Sequence, residues 1–320
     1  MDRREFMAGG FAAAGMLASG VASAGALLKF IYPYAPGSGG DLLVRVLADD
    51  LQKKLGVSAI VDNKPGADGR IGVREVMHAD ADGNTLLYTP FGPMVLFPTV
   101  FKNLPYDAFK DFAPVTQAIS YDFGVAAGPM SGVKTLAELV DWLKKNPDKG
   151  NIGMPGLGAL PHLLPVKFAA EAGVKINPIA FKGTAPALTA AMSGEIALVS
   201  GVLGDLIAQH KAGTLRLLAV SGKARSPFAP DVPTFKEQGY DVEGSAWYGI
   251  FAPAKTPPDA IARLNGALVE AIHSDAFKQR AASVYLTATG TSPQELGAIQ
   301  KADYERWKPV IEAAGLAGKT

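Results

Sequence analysis

The sequence predicts an α/β protein built from two units with a cleft between them. Three observations carry that prediction. Short apolar runs alternate with amphipathic stretches through most of the chain downstream of Ala24. The alternation begins as β-α-β-α-β, the signature of a parallel sheet covered by helices. It then recurs in the middle of the chain, which leaves the first unit before its helical cover is complete.

The elements follow in order. "LLKFIYPY" reads as a buried strand. "LLVRVLADDLQKKLG" reads as a helix with Leu43, Val44, Leu47, Leu51 and Leu55 on one face. Gly56 ends it. "SAIVDN" is a strand, "IGVREVMHAD" a helix and "NTLLYTP" a strand. The middle unit runs from strand "DFGVAAG" through helix "TLAELVDWLKKNP" to the short strand "NIGMPG" and a helix near residues 161–172. Strand "NPIAF", helix "APALTAAMSG", strand "IALVSG", helix "LGDLIAQHKAG" and strand "LRLLAVSG" complete it. "SAWYGIFAP" is one more strand, and two long amphipathic helices, "PPDAIARLNGALVEAIHS" and "SPQELGAIQKADYERWKPVIEAAG", close the chain. They need a surface to cover, and the first unit offers it. Two crossings, near 122–128 and 245–251, make a hinge. The expected division is 25–124 with 247–320 as one domain and 125–246 as the other. Ligands in such sheets lie at the carboxyl ends of the strands.

Composition narrows the function. The 320 residues are enough for two domains of ordinary size. Hydrophobic residues make up 48% and charged residues 19%, the balance of a core-forming chain. Net charge is +1 and no long basic block exists, which argues against nucleic acid as a partner. The absence of cysteine excludes disulfides, thiolate metal sites and a cysteine nucleophile, and suits an oxidising compartment.

The N-terminus points the same way. "MDRREFMAGGFAAAGMLASGVASA" has Arg3-Arg4, an uncharged stretch and an Ala22-Ser23-Ala24 cleavage site, the pattern of a signal peptide over residues 1–24. The arginine pair followed by Glu5-Phe6-Met7 resembles a twin-arginine export signal, which makes the protein periplasmic. An ordinary Sec signal with a chance arginine pair and a membrane anchor are the other readings. No later stretch reaches the ~18 unbroken apolar residues of a membrane span.

Familiar catalytic motifs are missing. Gly37, Gly39 and Gly40 are wrongly spaced for a dinucleotide loop, and no Gly-Lys-Ser/Thr follows them. His78, His162, His210 and His273 are scattered, with no metal-binding spacing. Ser131 and Lys134 match S-x-x-K without its companion motifs, just before a predicted helix where Ser and Thr cap. Without a nucleophile, base and metal set, the chain is expected to be no enzyme and to need no cofactor.

Glycine-rich turns at strand ends are abundant: "APGSGGD", "TPFGP", "GMPGLGALPH", "FKGTAPA" and "VSGVLGD". Each leads into a helix, whose first amides lack internal partners and attract an anion. A βα turn needs Gly, Ser and Asp in any case, but five such turns facing one cleft favour an anion trap. Asp41 competes with an anion and reads as a structural cap.

Several stretches carry a family resemblance: "FIYPYAPGSGGDLLVRVLADDLQKKLG", "VDNKPGADGRIGVREV", "FKNLPYDAFKDFAPVT", "FKGTAPALTAAMSGEIAL", "AGTLRLLAVSGKARSPFAPDVPTFKEQGY" and "SAWYGIFAP". Together with the terminal helices, they resemble the Bug proteins, extracytoplasmic solute receptors of the tripartite tricarboxylate transporter type. The resemblance covers essentially the whole mature chain. It implies a periplasmic-binding-protein type II-like fold, with two α/β domains and a ligand cleft between them. It also implies capture of a small carboxylate, largely through backbone amides and water, for a membrane permease. By resemblance Tyr34, Pro36, Gly37, Ser38 and Gly39 match the first ligand loop, and Pro90, Phe91 and Gly92 a neighbouring one. Pro155, Gly156, Leu157, Gly158, Ala159 and His162 match a third loop, Phe181-Lys182-Gly183 a Tyr-Lys-Gly, and Ser200-Gly201 an Asp-Asn.

The departures from the family pattern remove polar groups. Phe181 lacks a tyrosine hydroxyl, Ser200 replaces a carboxylate, Ala159 lacks a hydroxyl, and Phe91 and Pro93 make their loop more apolar. Each lost partner is worth about 1 kcal/mol. The expected ligand is therefore a monocarboxylate or an aromatic acid, bound by a monomer. An exported enzyme on the same scaffold, or a ligand-sensing receptor for a sensor kinase ectodomain, is the alternative.

Overall fold

A computed structural model describes residues 27–319. Arg3, Arg4 and the Ala22-Ser23-Ala24 cleavage site lie outside the described residues. The chain opens with β1 (Leu27–Tyr32), α1 (Gly39–Leu55), β2 (Ser58–Asn63), α2 (Arg70–Met77) and β3 (Thr85–Pro90). Two short helices follow, α3 (Phe91–Val95) and α4 (Phe97–Val100), and then the ten-residue β4 (Phe112–Tyr121). The second unit contains β5 (Phe123–Ala127), α5 (Leu136–Lys145), β6 (Asn151–Met154), α6 (Leu160–Ala172) and β7 (Asn177–Ala180). It ends with α7 (Thr184–Met192), β8 (Leu198–Val202), α8 (Leu203–Lys211) and β9 (Arg216–Val220). The chain returns through β10 (Ala246–Pro253) and closes with α9 (Pro258–Ile272), α10 (Asp275–Ser283), β11 (Thr287–Ala288) and α11 (Pro293–Ala313).

Local chemistry sets the helix ends. Ser38 caps α1 by accepting from the Asp41 amide, and Gly56 ends it in the left-handed conformation. Thr135 caps α5 through the Glu138 amide, so Ser131 is not the cap. Ser292 and Glu295 form a capping box at the start of α11, with Pro293 in its first turn. Among the described residues no helix is long and apolar enough to cross a membrane.

The strands form two sheets, ordered β11-β4-β10-β3-β1-β2 and β7-β6-β8-β5-β9. β1 runs parallel to β2 and β3, and β6 parallel to β7 and β8, as the alternating pattern predicts. The strands at the crossings depart from that pattern. β10 is antiparallel to β3 and β4, and β5 is antiparallel to β8 and β9. A strand that enters from the other sheet rather than by a helical crossover is free to pair this way.

Only Asp122 separates β4 from β5, so the chain passes from one sheet to the other within a single residue. One apolar cluster spans both units, from Leu87 and Phe91 to Leu164 and Phe168, with Trp307 and Ile311 of α11 in it. A Cβ at Gly244 would lie 2.4 Å from the Trp307 ring. The C-terminal helix is thus packed into the return crossing.

Candidate functional site

The site is best built from the first loop outward. Tyr32 points its hydroxyl to Ser38 Oγ at 2.8 Å. Asp41 is buried and accepts from the Gly37 amide at 3.0 Å, from Arg45 Nε at 3.0 Å and from Asn63 Nδ2 at 2.8 Å. Asn63 Nδ2 also donates to the Tyr34 carbonyl. Burial pushes the Asp41 carboxyl upward, but the bonds from Arg45, Asn63 and Gly37 outweigh it and hold the group below its ordinary range. Asp41 is therefore a structural lock, as its position in the first helical turn implies. It also occupies the Gly37 amide that an anion was expected to use.

Beneath this loop is a layer of tyrosines. Tyr88 and Tyr248 stack at 5.1 Å, and Tyr32 lies 5.7 Å from Tyr34. Burial pushes all of these phenols above their ordinary range. They are neutral packing groups, and the Tyr34 hydroxyl donates to the Asp68 carbonyl.

A cavity of about 440 Å³ lies between the two units. It brings together Tyr34, Pro90, Phe91 and Gly92 from one side and Leu157, Gly158 and Ala159 from the other. Pro36, Gly37 and Ser38 form the exposed turn before α1 and Gly39 is its half-buried first residue; none of them lines the cavity. Neither do Pro155, Gly156 or His162. Phe181, Lys182 and Gly183 lead into α7 outside the cavity, where the Phe181 ring packs beside Gly153. Ser200 is fully buried in β8 opposite Val125, and its hydroxyl has no partner among the described residues.

Several lining residues escaped sequence reasoning: Asp68, Leu96, Phe97, Val100, Phe101, Tyr121, Phe123, Leu160 and Pro161. The spacing of Phe97 and Phe101 was a visible signal, since four residues apart on a helical turn brings rings together. Their centroids are 4.8 Å apart. The Arg70 guanidinium lies 3.8 Å over the Phe101 ring. Tyr121 and Phe123 flank the crossing at Asp122, and only the crossing brings them to the cavity.

Two helices begin at this cavity. Pro90 and Ala159 hold the N-cap positions of α3 and α6 and supply no capping side chain. The first residues of these helices, Phe91, Gly92 and Leu160, line the cavity, and the first helical N–H groups have no partner within their own helix. Gly158, at φ +79°, adopts a conformation that needs glycine. Its amide donates to His162 Nδ1 at 3.1 Å. Burial lowers the His162 pKa, so the ring is a neutral acceptor at Nδ1 and carries its proton on Nε2. Among the described residues no three metal-ligating side chains converge.

A cavity between two α/β sheets, floored by aromatic rings and edged by uncapped helix starts, is the site of a solute-binding receptor, and the architecture is that of periplasmic binding proteins. Residues 43–316 match the family described as "Tripartite tricarboxylate transporter family receptor", and the chain belongs to that family. It is 30% identical to protein BugT of Bordetella pertussis over 90% of this chain and 89% of that one. It is also similar to an R. palustris structure solved with adipate, at 28% identity and a TM-score of 0.76, covering 91% of this chain and 98% of that one. MatC of Rhodopseudomonas palustris with bound malate has 26% identity and a TM-score of 0.72, covering 89% and 98%. The family is one of periplasmic receptors.

Proposed function

We propose that this receptor captures a small carboxylate with an apolar or aromatic body and passes it to a membrane permease. The observation that carries this reading is the cavity itself, where aromatic rings surround a space entered by the uncapped starts of α3 and α6. A carboxylate satisfies such orphan amides, and the rings favour an apolar body beyond it. The adipate and malate carried by two relatives support a carboxylate. The two sheets serve as the cores of two domains, 25–124 with 247–320 and 125–246, that close around the ligand. The segment before residue 25 routes the protein to the periplasm as a twin-arginine signal. No catalytic step is part of the reading.

The test is calorimetric titration with matched pairs, hexanoate against hexanamide and benzoate against benzamide. Each acid should bind and its amide should bind far more weakly. Equal affinity for acid and amide overturns the anion trap.

A further inference from the structure

Among the described residues that line the cavity, Asp68 is the single one with a charged side chain. It sits in an unusual loop. Ala67 and Asp68 both have positive φ, +47° and +56°, between Gly66 and Gly69, which also have positive φ. Two successive non-glycine residues in this region are strained, and strain of this kind persists where the surroundings over-determine it. Here the surroundings are visible. The Tyr34 hydroxyl, on one cavity wall, donates to the Asp68 carbonyl at 3.2 Å. A Cβ on Gly69 would lie 3.1 Å from the same Tyr34 ring. Arg70 Nη1 lies 3.9 Å from the Asp68 carboxylate, while its guanidinium is stacked on Phe101, another cavity wall. The fold thus holds Asp68, with its carboxylate largely exposed, at the mouth of an otherwise apolar and aromatic cavity, on the unit opposite Gly158, Ala159 and Leu160.

We infer that Asp68 is a specificity residue, a charge filter that admits monocarboxylates and rejects ligands carrying a second anionic group. The inference rests on the proposed capture of a carboxylate in this cavity. A ligand anchored by one carboxylate at the start of α6 carries its far end towards the walls formed by Asp68 and Phe101. A second carboxylate there meets a like charge at the mouth of the cavity, where the Asp68 side chain is 71% exposed and water screens the repulsion. Arg70 offsets part of that repulsion. Its Nη1 is enclosed, however, and makes no hydrogen bond among the described residues, so it is not presented to the ligand.

The test uses adipate and its monoamide, which share a shape and differ by one charge. Calorimetric titrations are run on the full mature protein, on Asp68→Asn and on Arg70→Met. Asparagine tolerates the left-handed backbone, so Asp68→Asn keeps the loop. Wild type should bind the monoamide about 3-fold more tightly than adipate, the effect of two like charges screened by water at the cavity mouth. Asp68→Asn should close that gap, and Arg70→Met should widen it. The inference is overturned if wild type binds adipate at least as tightly as the monoamide, or if Asp68→Asn leaves the gap unchanged. It is also overturned if Arg70→Met removes adipate binding selectively, which would make Arg70 the clamp for a second carboxylate. Binding of neither compound, nor of hexanoate, overturns the carboxylate reading itself and the filter with it. Binding of the monoamide without the expected gap overturns the filter alone.

Discussion

Ser245 Oγ donates to Asp122 Oδ1 at 2.6 Å, joining the two strands by which the chain crosses between its sheets. Asp122 is the residue between β4 and β5, and Ser245 precedes β10. Among the described residues the carboxylate has no cationic partner, and burial pushes its pKa up, with the Ser245 bond opposing. For a carboxyl whose folded pKa is raised, the folded state holds the proton more tightly. Stability therefore falls as pH rises from the ordinary carboxylate range through the raised value, and the penalty persists above it. Asp122→Asn keeps an acceptor for Ser245 and removes the charge. It should raise the melting temperature at neutral pH, with an advantage that fades below about pH 4, the ordinary aspartate range. Scanning calorimetry across pH measures both, and a lower melting temperature at neutral pH counts against an uncompensated charge.

Asp41 has the opposite sign. Its folded pKa is held down, so its contribution is fully present above the ordinary aspartate value and is lost as pH falls through the lowered one. Breaking a buried charged pair typically costs ~3–5 kcal/mol. Arg45 is 44% exposed, which screens its share. Asp41→Ala should therefore cost about 2–3 kcal/mol by denaturant titration. It should also free the Gly37 amide and loosen the turn before α1, visible as faster hydrogen exchange of the Gly37 and Ser38 amides. A change under about 0.5 kcal/mol would mean that the lock is a surface contact.

His162 makes the third loop acid-sensitive. Its pKa is lowered by burial, and protonation of Nδ1 would replace the acceptor of the Gly158 amide with a donor. The folded state thus favours the neutral ring. The contribution is intact above the ordinary value of 6.5 and erodes as pH falls below it. The melting temperature of wild type should fall between pH 6.5 and 5.5, and hexanoate affinity with it. His162→Asn retains an acceptor and cannot titrate, so its profile should be flatter over that interval. Parallel profiles for the two proteins would remove His162 as the cause.

Much of this fold is legible in the sequence, because its parallel strands are short apolar runs bracketed by glycine and by amphipathic helices. β4 is not, although it is the longest strand. Pro114 interrupts it, and Thr116 and Gln117 are buried polar residues where an apolar run would be read. α10 is hidden for a related reason, since only Phe277 and Ala281 are buried in a polar stretch. At the site, Phe91 and Leu157 to Ala159 lie in the glycine and proline turns at strand ends, and Tyr34 follows from the family resemblance. Asp68, Tyr121 and Phe123 reach the cavity through tertiary contacts that no local pattern encodes. Asp41 occupies the Gly37 amide, in line with its reading as a structural cap, whereas nothing in the sequence signals that His162 occupies the Gly158 amide.

Gly40 and Gly266 should respond in opposite ways to the same substitution. Both lie in helices, α1 and α9, and neither has a positive φ. Helix propensity alone favours Ala over Gly by ~1 kcal/mol. At Gly266 nothing lies within 4 Å of an added Cβ, so Gly266→Ala should realise that gain. At Gly40 the Cβ would come 2.6 to 2.8 Å from the Tyr248 ring and hydroxyl. Tyr248 cannot swing away, because its ring is stacked on the fully buried Tyr88. Overpacking of this kind costs ~1–3 kcal/mol or more, which outweighs the propensity term. Gly40→Ala should therefore lower the melting temperature by a few degrees, and Gly266→Ala should raise it by about 2 °C. Gly40→Ala should also shift the start of α1 and disturb the turn at residues 36–39. The tyrosine layer is read by near-ultraviolet circular dichroism, which should change in Gly40→Ala and stay constant in Gly266→Ala. Stabilisation by both substitutions would show that the tyrosine layer yields, and that Gly40 is not there to make room for it.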